Sequence, residues 1–253
     1  MLLGKGLERI YRKMTGYSVK KIFTSYNNFV YLVEKEGVEY ILKESTKDAN
    51  ALNEWKEKLP VPKIIEKTDK YLVLEKLSGE TLKGRLTEKT AREFGKYVGM
   101  IHAKEKTRRG ELLSHPKQFW KEELHDLIGY CHGDLSLMNF LAENETVTGI
   151  LDWEFAGEGE IIKDTFHSVK TFFEKWKFKE EIAEEHNKYL RLPDNWKKVA
   201  IVQQWLSMKK NLSKIDRLQW KELNEEQTRE RKEQVRIEWT ENLSKLEELY
   251  KTI

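Results

Sequence analysis

The sequence lacks the chemistry that stabilises most small secreted proteins. Cys131 is its only cysteine, so no disulfide bond can form within the chain, and this usage fits a reducing compartment. We expect Cys131 to be a buried strand residue rather than a reactive thiol. There are only four prolines in 253 residues, and no internal repeat or low-complexity linker is visible.

Long apolar runs and a strong charge of one sign are also missing. No window approaches the ~18 apolar residues of a membrane-spanning helix. The 46 basic and 43 acidic residues leave a formal net charge of +3, which gives no argument for a nucleic-acid or membrane partner. At the N-terminus, apolar residues at helical spacing predict an amphipathic helix rather than a signal peptide: Leu3, Leu7, Ile10, Tyr11 and Met14. We therefore expect a cytoplasmic protein.

The first third of the chain is rich in strand-forming residues. Aromatic and β-branched residues between turn-forming clusters predict strands at 18–23, 29–34, 38–43, 63–65 and 71–74. A helix is predicted at 46–59, with Pro60 ending it.

Helical spacing dominates the rest of the chain. Helices are predicted at 88–103, 165–176, 179–189, 196–212 and 223–250. A small antiparallel sheet followed by helices predicts an α+β, two-lobed layout, with an N-lobe at 1–77 and a helical C-lobe at 78–253.

The motif between His132 and Asp152 carries the most chemical information. It has the form H-x-D-x-x-x-x-N, with Asp134 and Asn139, followed by Asp152. Two apolar runs around the turn 143–145 predict a short hairpin that returns Asp152 to the neighbourhood of Asn139. Asp134 could accept the proton of an acceptor hydroxyl, and Asn139 and Asp152 could bind the magnesium ion that bridges nucleotide phosphates. The motif predicts a kinase.

A kinase also needs a cation for the phosphates and a backbone segment for the base. Lys43 ends an apolar strand and is the candidate for the α- and β-phosphates. Its acidic partner could be Asp48, Glu44 or Glu54, and we choose Asp48. Two further segments are candidates for nucleotide contacts: the 25–28 turn, through Ser25 and Asn27, and the lobe connection, through Glu75 and Leu77. An ordinary hairpin turn explains residues 25–28 equally well.

These residues resemble the aminoglycoside phosphotransferase and choline kinase-like superfamily, which shares the protein-kinase fold. The resemblance runs from about residue 18 to 170 and includes residues 57–64, 72–80 and 99–102 beside the central motif. It implies Asp134 as catalytic base, Asn139 and Asp152 as magnesium ligands, Lys43 on the phosphates and Asp48 as its partner. It also implies that His132 braces the loop and that Asp164 helps to fix the lobe.

The expected reaction is transfer of the ATP γ-phosphoryl group to a hydroxyl of a small molecule, with GTP left open as the donor. The acceptor could be an aminoglycoside, a sugar or an amino alcohol, and the oligomeric state is left open. A small atypical protein serine/threonine kinase is the first alternative, but only a dozen residues separate Asp152 from Asp164, too few for the peptide platform of protein kinases. A nucleotide-binding pseudokinase is the second alternative. We expect four tryptophans at helical positions to be core residues rather than an acceptor-binding wall: Trp176, Trp196, Trp205 and Trp220.

Overall fold

The computed structural model describes residues 16–24, 29–111, 124–168, 171–217 and 223–253. The predicted N-terminal helix and the turn at 25–28 lie outside these residues. The chain divides into two compact units. Unit 1 comprises Met1–Thr81 and Asn139–Phe155, and unit 2 comprises Leu82–Met138 and Ala156–Ile253. The lobe boundary after residue 77 stays a prediction.

The described strands, in chain order, are β1 (Ser18–Thr24), β2 (Phe29–Lys35), β3 (Val38–Lys43), β4 (Ile64–Lys67), β5 (Leu72–Glu75), β6 (Glu80–Thr81), β7 (Arg108–Glu111), β8 (His125–Cys131), β9 (Phe140–Glu143), β10 (Thr146–Ile150) and β11 (Gly157–Glu160).

The described α-helices are α1 (Ala49–Trp55), α2 (Glu88–His102), α3 (Ile161–Phe166), α4 (Phe172–Lys177), α5 (Lys179–His186), α6 (Trp196–Leu212) and α7 (Glu225–Thr252). Short 3-10 turns lie at Leu137–Asn139 and Ile215–Arg217. Within the described residues, no helix has both the length and the apolar character needed to cross a membrane.

Unit 1 is built on a five-stranded antiparallel sheet with the order β1-β2-β3-β5-β4. Glu36 and Gly37 connect β2 to β3 with positive φ at both positions, the geometry of the two-residue turn that matches the twist of the strands. Tyr31, Val33 and Leu42 form one face of the sheet core. The predicted strand at 38–43 is confirmed residue for residue.

The predicted hairpin is also part of unit 1. Strands β9 and β10 pair antiparallel around Asn144 and Glu145, which both have positive φ. The short strand β6 pairs with the outer side of β9.

Unit 2 is mainly helical. Helix α2 begins with a reciprocal capping box between Thr87 and Thr90. It approaches α5 so closely that a Cβ atom at Gly95 would collide with the backbone of Ile182, so the packing of these helices requires glycine there. A three-stranded antiparallel sheet, β11-β8-β7, completes the unit. The α+β class, with an antiparallel sheet in the N-terminal region and helices in the C-terminal part, is confirmed.

Three tryptophans of unit 2 are core residues, as predicted. Trp176, Trp196 and Trp205 are all buried. Phe166 stacks on Trp196 with ring centroids 4.9 Å apart. The Nε1 atom of Trp205 donates to Glu247 at 2.9 Å. Trp220 lies outside the described residues.

Several predicted bounds are wrong. The helix predicted at 165–176 is two helices, because α3 already begins at Ile161 and ends at Phe166, after which His167 has an extended backbone. Helix α1 is shorter than the predicted 46–59, because it begins at Ala49 and ends at Trp55. After Trp55 the chain forms a turn, in which the N–H groups of Lys58 and Leu59 both donate to the Trp55 carbonyl. The strands of the β11-β8-β7 sheet were not predicted. Cys131 is buried at the end of β8, as expected.

Candidate active site

The hairpin of unit 1 brings Asn139 and Asp152 together at its open end. Phe140 and Ile150 are paired, and the Leu151 N–H donates to the Asn139 carbonyl at 2.8 Å. The residue after Leu151 is Asp152, which has a φ of 63°. A non-glycine residue in this left-handed region is uncommon and such strain concentrates at functional sites. The hairpin thus places Asn139 and Asp152 at its open end, where both residues line the same cavity.

Lys43 lies between two carboxylates of the same unit. As the last residue of β3 it pairs with Val30 on one side and Leu72 on the other, which fixes its backbone. Its Nζ atom donates to Asp48 Oδ2 at 2.7 Å and to Asp152 Oδ1 at 2.8 Å. Burial alone would lower the pKa of Lys43, but the two carboxylates outweigh it and raise this pKa above its usual value. The lysine is therefore held as a buried ammonium ion.

Aromatic stacking attaches α1 to the hairpin. The rings of Trp55 in α1 and Trp153 after the hairpin stack with centroids 6.1 Å apart, and both are buried. The Trp153 indole donates to the Ile150 carbonyl at 2.9 Å, and the Ile150 N–H donates to the Pro60 carbonyl at 2.7 Å. These contacts hold the element that carries Asp48 against the element that carries Asp152. Asp48 is only 1% exposed.

A cavity of about 330 Å³ opens beside Lys43 within unit 1. Its apolar walls come from the sheet and from the hairpin: Val30, Ile41, Leu74, Leu141 and Leu151. Its polar lining includes Lys43, Asp48, Asn139 and Asp152. Apolar walls with a few convergent polar groups are typical of a small-molecule site.

The segment 75–77 also lines this cavity. The Glu75 N–H donates to the Lys63 carbonyl at 2.9 Å, and the Glu75 carboxylate accepts from the Lys63 N–H at 3.3 Å. The Glu75 side chain is thus hydrogen-bonded to Lys63, the residue before β4. Leu77 contributes an apolar side chain to the lining of the cavity. Ser25 and Asn27, the predicted contacts of the other turn, lie outside the described residues.

The polar end of the cavity has the ligand atoms that a hard divalent cation prefers. Carboxylate oxygens of Asp48, Asp152 and Glu154 all lie within 4.8 Å of one another, and oxygen ligands suit magnesium. Asp48 Oδ1 is buried and has no hydrogen-bond partner among the described residues. The residues present therefore fit a magnesium ion. Glu154 was not predicted as part of this cluster, although its position two residues after Asp152 was the available signal.

Asp134 lies in unit 2, in the loop 132–138. One carboxylate fixes the start of this loop, because Asp164 accepts from the N–H groups of His132 at 2.8 Å and Gly133 at 3.0 Å. The Asp134 N–H in turn donates to His132 Nδ1 at 3.3 Å. His132 is fully buried, so its ring braces the backbone at Asp134.

A chain of buried side chains holds Asp164. Its Oδ2 lies 3.1 Å from His102 Nε2, His102 Nδ1 lies 2.9 Å from His186 Nε2, and His186 Nδ1 donates to the Leu190 carbonyl at 2.8 Å. Burial alone would raise the pKa of Asp164, but the hydrogen bond and the charge of His102 hold this pKa below its usual value. Burial, together with the charge of His102, lowers the pKa of His186 to about 3. Since neutral His186 donates to Leu190, its other nitrogen accepts from His102, and His102 donates to Asp164 as well.

Lys175 is a buried cation that sequence patterns did not reveal. It is fully buried in α4, and its Nζ atom donates to three carbonyl groups: Thr165 at 2.7 Å, Leu135 at 3.2 Å and His167 at 3.4 Å. Leu135 directly follows Asp134. A lysine within a helical sequence pattern is expected to be solvent-exposed, so no feature of the sequence indicated that Lys175 is buried.

Asp134 lines a second cavity, of about 170 Å³, within unit 2. Glu160, Lys163 and His167 lie on its walls. The Lys163 ammonium is 2.6 Å from the Glu160 carboxylate. Burial, followed by the charge of Lys175, lowers the pKa of His167 to about 4, so this imidazole is neutral near pH 7.

Comparison with known proteins confirms the predicted resemblance. A sequence model of the phosphotransferase enzyme family, APH, matches residues 103–202. No curated protein matches the sequence. Many solved structures have a similar fold. Three of them are less than 25% identical to this chain, so the likeness shows the fold alone.

Three of these structures span nearly the whole chain. Amicoumacin kinase hAmiN, solved with AMP-PNP, Ca²⁺ and Ami, is 13% identical with a TM-score of 0.63, over 94% of this chain and 93% of that one. A microcompartment-associated aminopropanol kinase is 13% identical with a TM-score of 0.64, over 92% and 94%. Choline kinase LicA from Streptococcus pneumoniae is 14% identical with a TM-score of 0.62, over 99% and 100%. The chain therefore has the kinase-like fold of the aminoglycoside phosphotransferases and choline kinases.

Proposed function

We propose that the protein is an ATP-dependent phosphotransferase that moves the γ-phosphoryl group to a hydroxyl of a small molecule. The observation that carries this proposal is the placement of Lys43 between Asp48 and Asp152 in an apolar-walled cavity. A cation on a strand, fixed by a buried acid and next to an acidic metal-ligand candidate, is the phosphate-binding arrangement of kinases.

Each predicted site residue has a role in this proposal. Lys43 binds the α- and β-phosphates, with Asp48 holding its ammonium in place. Segment 75–77, through the backbone near Glu75 and Leu77, receives the purine, and Ser25 and Asn27 contact the phosphates. Asn139 and Asp152 hold Mg²⁺, which when bound would neutralise charge on the phosphates.

Asp134 is the proposed base. It precedes Asn139 by five residues in the chain, the spacing that links base and metal ligand in phosphotransferases. Its carboxylate accepts the proton of the acceptor hydroxyl as that oxygen bonds to the γ-phosphorus, and ADP leaves. The bracing of its backbone by His132 and Asp164 keeps the carboxylate oriented.

Two observations favour a small molecule over a protein as acceptor. Residues 157–166, soon after Asp152, are already folded as β11 and α3, which leaves little chain for a peptide platform. Asp134 lines a cavity of only about 170 Å³. The similar structures also include kinases named for aminopropanol, choline and amicoumacin, so amino alcohols and amicoumacin belong among the acceptors to test.

The decisive experiment measures ADP formation with Mg²⁺ and ATP across sugars, amino alcohols, aminoglycosides and a generic protein acceptor. GTP is compared as the donor. We expect acceptor-dependent ADP formation with one small-molecule class, which disappears in Asp134→Asn. Turnover with the protein acceptor alone would replace the proposal with a protein kinase. Binding of AMP-PNP without turnover on any acceptor would indicate a nucleotide-binding module.

A further inference from the structure

Lys175 is an unusual feature of unit 2, because it is a fully buried ammonium whose hydrogen bonds within the described residues go to backbone carbonyl groups. Removing such a cation from water costs several kcal/mol unless its donors are satisfied. Here three backbone carbonyl groups accept from the three N–H bonds of the ammonium. The Phe94 ring, 5.7 Å from Nζ, closes another side.

The three carbonyl groups belong to two different segments. Thr165 and His167 lie at the end of α3, where carbonyl groups have no partner within the helix. Leu135 belongs to the loop 132–138, one residue after the proposed base. Lys175 therefore ties the loop to the C-terminal end of α3.

The same short helix holds the loop on the other side of Asp134. Asp164, within α3, accepts from His132 and Gly133, which precede Asp134, while Lys175 donates to Leu135, which follows it. One residue, Asp134, lies between the two attachments. A carboxylate fixes the backbone N–H groups on one side, and an ammonium fixes the carbonyl group on the other.

We propose that Lys175 is a positioning residue, which fixes the backbone at Leu135 so that the Asp134 carboxylate is held for proton transfer. The proposal rests on the proposed role of Asp134. A misplaced base costs rate rather than nucleotide affinity, since the nucleotide residues Lys43, Asp48 and Asp152 are in unit 1.

The charge of Lys175 has a second effect on the same carboxylate. Asp134 and Asp164 are the acids that interact with the ammonium, and His167 is the neighbouring base. A buried positive charge favours the ionised form of a nearby carboxylate, which is the form a general base needs. Burial lowers the pKa of Lys175 to about 7, against the opposing effect of these two acids, so the ammonium is present throughout the acidic range.

Lys175→Met tests this proposal, because methionine keeps the length of the side chain but has no donor and no charge. On the acceptor found in the screen, we expect kcat to fall about ten- to hundredfold, as for loss of a hydrogen bond to a charged group. The dissociation constant of AMP-PNP with Mg²⁺ should stay within about twofold of wild type, and the acid limb of the kcat profile should move to higher pH. The difference in kcat between wild type and Lys175→Met should shrink above pH 7, where the wild-type lysine loses its charge.

Two further variants separate positioning from packing. Lys177→Met changes an exposed lysine of the same helix and should match wild type in every readout. Lys175→Arg keeps the charge and should return the acid limb to its wild-type position. If Lys175→Met does not fold, the arginine variant alone decides, because a shifted acid limb in it contradicts the proposal.

Hydrogen–deuterium exchange supplies a readout that does not depend on activity. Amides of residues 132–136 should exchange about tenfold faster in Lys175→Met, with α2 unchanged. If wild type has no phosphotransferase activity, the proposed function fails, and unchanged exchange at 132–136 would then overturn the attachment as well. If wild type is active, a kcat within twofold of wild type and an unshifted acid limb in Lys175→Met would overturn the role of Lys175 and leave the proposed function standing.

Discussion

Lys43 donates a hydrogen bond to Asp152 although the two residues are 109 positions apart in the chain. The contact joins the end of β3 to the end of the hairpin, and Asp48, the residue before α1, binds the same ammonium. One positive charge thus faces two carboxylates, with Glu154 nearby as a third. This excess of negative charge favours a divalent cation in the cluster.

Replacing Lys43 should affect stability and function separately. Lys43→Met leaves the buried Asp48 without its cation, which we expect to cost about 3–5 kcal/mol in the free energy of unfolding. The double variant Lys43→Met/Asp48→Asn should recover most of that loss, because the buried charge is removed as well. Chemical denaturation of both variants measures this. AMP-PNP affinity should stay reduced in the double variant, and full recovery of affinity would exclude Lys43 from phosphate binding.

Asp152→Asn should uncouple nucleotide binding from magnesium. Asparagine tolerates the positive φ at this position, so the backbone is kept while the charge is lost. We expect the Mg²⁺-dependent part of AMP-PNP affinity to fall at least about tenfold, measured by titration with and without Mg²⁺. Asp69→Asn, an exposed change in the same unit, is the control. An unchanged Mg²⁺ dependence would mean that the metal is held elsewhere.

Asp164→Asn should destabilise unit 2 in a pH-dependent way. The substitution replaces one accepting oxygen by an NH2 group and removes the negative charge, so a single oxygen is left for the N–H groups of His132, Gly133 and His102, at a cost of roughly 3 kcal/mol. Because the folded-state pKa of Asp164 is depressed, its contribution is present above the unfolded value of 3.8 and is lost as pH falls through the folded value.

Thermal unfolding between pH 3 and 7 checks this sign. The difference in Tm between wild type and Asp164→Asn should be largest near neutral pH and should narrow in acid. Asp194→Asn, exposed in the same unit, should show no such trend. A difference that widens in acid would contradict the ionised state assigned to Asp164.

Asp126 should show the opposite dependence. It accepts from the N–H groups of Leu127 and Ile162 and from Gln203 Nε2, yet burial raises its pKa to about 6. The folded state therefore binds more protons than the unfolded state between pH 3.8 and about 6, and stability is lost as pH rises through this window.

Asp126→Asn should abolish this pH-dependent loss of stability, because asparagine does not titrate. Relative to wild type, the variant should gain roughly 2–3 kcal/mol in the free energy of unfolding between pH 4 and 7, which follows from about two pKa units. Denaturant titrations at both pH values measure the change. A constant difference between the two proteins across the range would show that Asp126 is not the responsible group.

Parts of the fold could be predicted where the local conformational preference of the residues matches the structure they adopt. Strand 38–43 and helix 196–212 have strong propensities and were predicted with their observed bounds. Strand β11 has the sequence Gly-Glu-Gly-Glu and no intrinsic strand preference. It forms because its backbone pairs with β8, a long-range contact that no local pattern shows.

The site was less accessible to sequence reasoning than the fold. The spacing of Asn139 and Asp152 around a hairpin turn could be read directly from the chain. The choice of Asp48 over Glu44 and Glu54 depended on how α1 packs, which the Trp55–Trp153 stack determines. The burial of Lys175 and the His102–His186 contact come from packing between helices, and the residue types alone favour exposed positions.

The most direct test of the account is Asp134→Asn assayed beside wild type on the acceptor found in the screen. We expect kcat to fall about 100- to 10,000-fold, the range for loss of a general base. AMP-PNP affinity with Mg²⁺ should stay within about twofold, because the nucleotide residues are in the other unit. Near-normal turnover in this variant, with nucleotide binding intact, would contradict the assignment of Asp134 and the mechanism built on it.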